Sequence, residues 1–243
     1  MDTSSNPALS DNAFKRYDVI GQEKTMSVGG TLLKVTLAFF VLLLGAAWGW
    51  TLAPQLGFAI PWWTFWVGSF VSLAVGFWAV FNANPLNVLL YAALQGIYLG
   101  FISNIFSALY DGIVVQAILL TLTITLGMLF LYATGLVKVT RKLYSVILIA
   151  TVGVLIYLVA EFFLSLFLPG FTNVVLSGPW GIVIAAIIVL IASLNLLLDF
   201  DTINRGVENK LGKKAEWYAA FGLMVTLIWL YVSILRLLAA TRR

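Results

Sequence analysis

Apolar residues run through this chain in seven long blocks separated by short polar or turn-rich segments. The blocks lie near Leu32–Ala53, Pro61–Phe81, Leu86–Phe106, Val115–Val137, Leu143–Leu168, Pro179–Leu198 and Trp217–Leu238. Most reach the length of about 20 residues that a helix needs to cross a hydrocarbon layer of roughly 30 Å. Pro54, Pro61, Pro85, Pro169 and Pro179 fall near block ends, where a missing amide proton costs least. The separators PQLGFAI, NANP, SALYDG, VKVTRK and PGFTNVVLSG are short enough to set neighbouring helices antiparallel. Period-2 patterning is too sparse for a membrane barrel, and the runs exceed the length of a barrel strand. The pattern predicts an all-α integral membrane protein, a compact seven-transmembrane-helix bundle over 28–240. A polar tail over 1–27 precedes it and a basic end over 241–243 follows.

Composition agrees: 62% of the 243 residues are hydrophobic and 10% are charged. The net charge of +4 would suggest nucleic acid in a soluble protein, but the cations sit beside apolar blocks, where they set orientation. Lys15, Arg16, Lys24 and Lys34 stand at the first block, Lys138, Arg141 and Lys142 between the fourth and fifth, and Arg205, Lys210, Lys213 and Lys214 between the sixth and seventh. Seven spans put all three groups on one side, which the positive-inside rule makes cytoplasmic. Arg242 and Arg243 then end outside; either the last block is re-entrant or the larger inner clusters outweigh them. The polar N-terminus lacks the order of a secretory signal, so a multi-pass protein of a bacterial inner membrane with a cytoplasmic N-terminus is expected.

Cysteine and histidine are both absent. That excludes disulfides, thiolate metal sites, imidazole switches, histidine-dependent metalloproteases and serine–histidine triads. The last block has no aspartate for an aspartyl protease pair, and phosphate-loop or dinucleotide fingerprints are missing. The chain reads as a non-enzyme without a cofactor, whose partners are the lipid bilayer and, by its acids, cations.

The polar groups of most interest lie in IASLNLLLDFDTINRGVENKLGKK, Ile191–Lys214, where an apolar helix meets Asp199 and Asp201. An aspartate deep in hydrocarbon belongs to a bundle interior, cavity or ion path, whereas one at a helix end can rest among headgroups. Asn195, one turn before Asp199, shares its face; Asp201 is turned from Asp199 by about 200°. If Asp199 faces inward, as its shared face with Asn195 favours, Asp201 looks sideways or toward the headgroups and can pair with Arg205; if Asp201 faces inward, Asp199 is the peripheral acid. Glu161 stands about 27 Å along its helix from Leu143, and Arg236 about 28 Å from Trp217, so matched depth predicts an outer ion pair between them. Gly45 with Gly49 and Gly96 with Gly100 make GxxxG faces, suited to packing within the chain or to an oligomer contact. Gln95 and Asn104 can bond across helices or line a polar cavity.

The stretch LLLDFDTINRGVENKLGKKAEWYAAFGLMVTLIWLYVSILRLL resembles the closing segment of the Bax inhibitor motif family in its bacterial branch, and YAALQGIYLGFISNIF resembles it less specifically. The resemblance implies a last helix near the centre of the bundle. It also implies membership among small membrane proteins that include pH-sensitive calcium leaks, in which an aspartate ending the sixth span meets one in the last span. Asp201, in FDTINR, matches the first of these, and Leu230 stands where the second would be. Asp199 or Glu216 approaching Asp201 would be a compensation. The expected function is a pH-sensitive cation leak that passes or weakly binds calcium, with Asp201 ahead of Asp199 as gate or sensor. The alternative is a non-conducting regulator acting through a membrane-protein partner such as a protease or stress factor.

Overall fold

A computed structural model describes residues 25–56, 74–167 and 178–242. The long helices are α1 (Val28–Leu56), α3 (Pro85–Leu109), α4 (Ile113–Ala133), α5 (Arg141–Phe167), α6 (Gly178–Glu208) and α7 (Ala215–Thr241). Residues 74–81 are helical and are labelled α2; the rest of the second block, and residues 168–177, lie outside the described residues. Six helices are long and apolar enough to cross a membrane, and no strand occurs among the described residues. The protein is therefore an all-α, multi-pass membrane protein.

Local chemistry sets the helix ends. Ser27 caps α1, its Oγ accepting the Gly30 amide at 3.0 Å, which starts the helix before the apolar block does. Asn84 caps α3 by accepting the Asn87 amide at 2.8 Å, with Pro85 in the first helical position, where no amide is needed. Thr140 accepts the Leu143 amide at 3.2 Å to open α5. After α4 the chain turns at Gly135, whose φ of 69° suits a residue without Cβ. In α4 and at its C-cap, the hydroxyls of Thr121, Thr125 and Thr134 donate to the Ala117, Thr121 and Phe130 carbonyls, so they are satisfied by the helix's own backbone.

The helices group into two compact units, one comprising Met1–Ile105 with Thr202–Met224 and the other Phe106–Asp201 with Val225–Arg243. In the first unit α1 and α3 meet through their glycines. A Cβ on Gly49 would strike the Ile97 carbonyl, one on Gly100 the Ala46 carbonyl, and one on Gly96 the Leu42 carbonyl, so only glycine permits this backbone approach. Tyr91 packs edge-on against Phe221 at 5.1 Å between ring centroids. Ahead of α1, Thr25 bridges Gly212 and the Met26 amide donates to Leu211 at 2.7 Å, stitching the chain to the loop between α6 and α7.

In the second unit Tyr132 lies against Phe200, 6.1 Å between centroids. Arg242, at its C-terminal end, donates to the Asp111 carbonyl and to Gln116, both at 2.7 Å. Among the described spans α7 is the most enclosed, with 50% of its most apolar stretch buried against 11% for α5. Met224, Leu230, Ile234 and Leu235 of α7 are essentially inaccessible.

Candidate functional site

Just before Asp199, α6 is apolar and packed, with Leu196, Leu197 and Leu198 all buried. Asp199 follows at about 14 Å from the end of the helix at Glu208, well inside the helical span. Its Oδ2 is buried with no hydrogen-bond partner among the described residues. The Thr226 hydroxyl of α7 donates to the Asp199 carboxyl. One turn beyond Thr226 on the same face of α7 is Leu230, fully buried, so the surface meeting α6 here offers a hydroxyl and then an aliphatic side chain.

Asn195 extends this polar string toward α5. Its amide nitrogen donates to Thr151 Oγ1 and to the Ile191 carbonyl, both at 2.8 Å, and the Thr151 hydroxyl in turn donates to the Ile147 carbonyl at 2.8 Å. Thr151, Asn195, Asp199 and Thr226 thus bring polar groups from three helices into the interior of the second unit. Nothing in the block pattern marks Thr151 or Thr226, because threonine in a membrane helix usually bonds its own backbone. Asp201 is half-buried and Arg205, at the end of α6, is exposed.

Glu216, in the first turn of α7, has a fully buried side chain whose bonds go to the start of α1. It accepts the Ser27 amide at 3.0 Å, the Ser27 hydroxyl at 3.2 Å and Lys34 Nζ at 2.6 Å. Lys34 also donates to the Lys213 carbonyl and lies 5.3 Å from the centroid of the Trp217 ring. Gly30 presses on the Glu216 carboxylate, leaving no room for a Cβ. With three bonds from Ser27 and Lys34 on its two oxygens, this carboxylate acts as a fastening between the start of α1 and α7. Ser27 gives no sequence signal for the role, and Lys34 reads there as an orientation charge.

In the second unit Arg236 Nη1 lies 3.6 Å from Glu161 Oε2, with the arginine side chain 46% exposed and the glutamate 11%. No group of three or more acids, histidines or cysteines capable of holding a metal ion occurs among the described residues. A calcium ion takes six to eight oxygens, so the Asp199 region lacks the ligands of a storage site. What it has is one buried carboxyl oxygen with no hydrogen-bond partner among the described residues.

A comparison with curated proteins finds no match. A family model described as Bax inhibitor 1 like matches residues 6–243, nearly the whole chain, including the Asp199 string and the Lys34–Glu216 fastening. With that coverage, and with six helices able to cross a membrane among the described residues, the chain belongs to the Bax inhibitor 1-like family.

Proposed function

We propose that the protein is a pH-sensitive cation leak, calcium being the ion it passes, with Asp199 as the group that exchanges proton for cation. The carrying observation is the buried Asp199 Oδ2, unpartnered among the described residues, on a carboxyl fixed by Thr226. A buried carboxyl with an unfilled oxygen is satisfied by a proton or by a cation, and exchange between the two links conduction to pH. Asp201, about 3 Å further along α6, attracts cations toward that point, and Arg205 tunes it. The absence of a multi-acid cluster among the described residues supports transit over storage. In this reading the chain sits in a bacterial inner membrane with its N-terminus and its basic loops on the cytoplasmic side.

Purified protein in vesicles loaded with a calcium dye tests the proposal. Flux above empty vesicles, varying across neutral pH, is expected, and Asp199→Asn should abolish the pH dependence. Asp201→Asn should reduce flux while leaving its pH dependence in place. No flux above empty vesicles at any pH would overturn the leak. The second reading, a non-conducting regulator of a membrane protease or stress factor, is favoured by one observation: one turn beyond Thr226, α7 carries a fully buried leucine, Leu230, and no acid to pair with Asp199. Recovery of one reproducible membrane partner from vesicle-inactive protein would select it.

A further inference from the structure

A groove of about 180 Å³ lies within the second unit, away from Asp199. It runs along α7 from Trp229 to Ala240, about 16 Å at the helical rise, and is walled by Ile184, Ala185 and Ile188 of α6 and by Tyr157 of α5. Its lining is mostly aliphatic and aromatic, but three polar groups reach it. The Tyr157 hydroxyl is buried with no hydrogen-bond partner among the described residues. Arg236 holds Glu161 at 3.6 Å through one nitrogen, while a guanidinium carries five N–H donors. The Ser233 hydroxyl donates to the Trp229 carbonyl at 2.8 Å, so its proton is committed. Donors therefore outnumber acceptors at this end, and a matching ligand must bring acceptor oxygens.

The surroundings identify the rest of the ligand. Leu155, Ile156 and Val159 on α5 and Val183 and Ile187 on α6 are exposed beside the lining residues, so hydrocarbon is available there. An apolar cavity on the order of 150 Å³ accommodates a benzene-sized body and stays dry, which makes this groove the right size for a segment of one chain. Because the Arg236 charge is already countered by Glu161, a neutral oxygen suits the polar end better than an anionic one.

We propose that the groove is a phospholipid site in which one acyl chain lies along α7 and its ester carbonyl accepts from the Tyr157 hydroxyl and the Arg236 guanidinium. The site is separate from the Asp199 string and stands whether or not the protein conducts. Native mass spectrometry of the full chain, exchanged into mild detergent with added phosphatidylcholine, should show one phospholipid retained per chain. Ala185→Phe, which fills the groove, should remove it. Tyr157→Phe should weaken retention roughly five-fold, about what one neutral hydrogen bond contributes, with unchanged thermal unfolding. Equal retention in wild type and both variants, or retention of detergent or a free fatty acid in place of phospholipid, would overturn the assignment. The natural absence of cysteine allows a second measurement. Ser233→Cys should resist a charged, water-soluble thiol reagent, and rapid labelling would show an aqueous groove and likewise overturn the proposal.

Discussion

At the scale of single residues, the acids of this chain differ by what surrounds them. Glu216 is buried but has both oxygens bonded, by Lys34 and by both polar groups of Ser27. Removing one partner of such a pair strands the other charge, and Glu216→Ala should cost about 3–5 kcal/mol, read from thermal unfolding in detergent. Glu216→Gln keeps an acceptor for the Ser27 amide and should lose less. The Glu161–Arg236 pair is longer, and the arginine is nearly half exposed. Glu161→Gln should therefore change stability by less than about 1 kcal/mol in the same assay. Asp199 belongs to neither class, since its carboxyl has one hydroxyl donor and one sealed oxygen. If that oxygen serves conduction, Asp199→Asn should alter flux while leaving the unfolding temperature close to wild type.

At the scale of elements, lipid removes the usual reason for helices to associate, because hydrocarbon tails are as apolar as leucine. Close packing has to supply what the hydrophobic effect does not. The α1–α3 contact does so with Gly45, Gly49, Gly96 and Gly100, whose missing Cβ atoms let each helix rest on carbonyls of the other. Gly100→Val should force the pair apart and destabilise the protein by about 1–3 kcal/mol, whereas Gly127→Val, where a Cβ would meet nothing, should be tolerated. The glycine spacing identifies both faces in the sequence, but either a second copy or a neighbouring helix satisfies the spacing equally well. The structure pairs the two faces within one chain. Helix ends are less legible, as α6 continues to Glu208 although its apolar block stops at Leu198. Hydropathy marks the hydrocarbon boundary, while the helix goes on for as long as its backbone bonds and end caps allow.

At the scale of the whole molecule, the Bax inhibitor 1-like family assignment covers nearly the full chain, and α7 carries fully buried Leu230, not an acid, one turn beyond Thr226. A leak in this member must then depend on α6 for its carboxyl chemistry. Leu230→Asn is a direct probe, placing a neutral polar group one turn from Thr226. In vesicles it should raise calcium flux above wild type if the apolar face of α7 limits passage, and unchanged flux would locate the restriction elsewhere.

The sequence by itself determined the all-α membrane class and the positions of the six described long spans. Hydrocarbon thickness imposes a length on any spanning helix whatever its neighbours are, and the apolar blocks record that length directly. It also separated Asp199 from Asp201, since helical geometry turns adjacent acids of a DFD motif to different faces. Which face looks inward was decided only by the tertiary structure, because that depends on what other helices present. Thr226 bonds Asp199 from α7 and Thr151 bonds Asn195 from α5. Lys34 and Ser27 reach Glu216 across 182 and 189 residues of sequence. No periodicity encodes such partners, for a hydrogen bond between distant segments depends on a distance that exists only once the chain has folded.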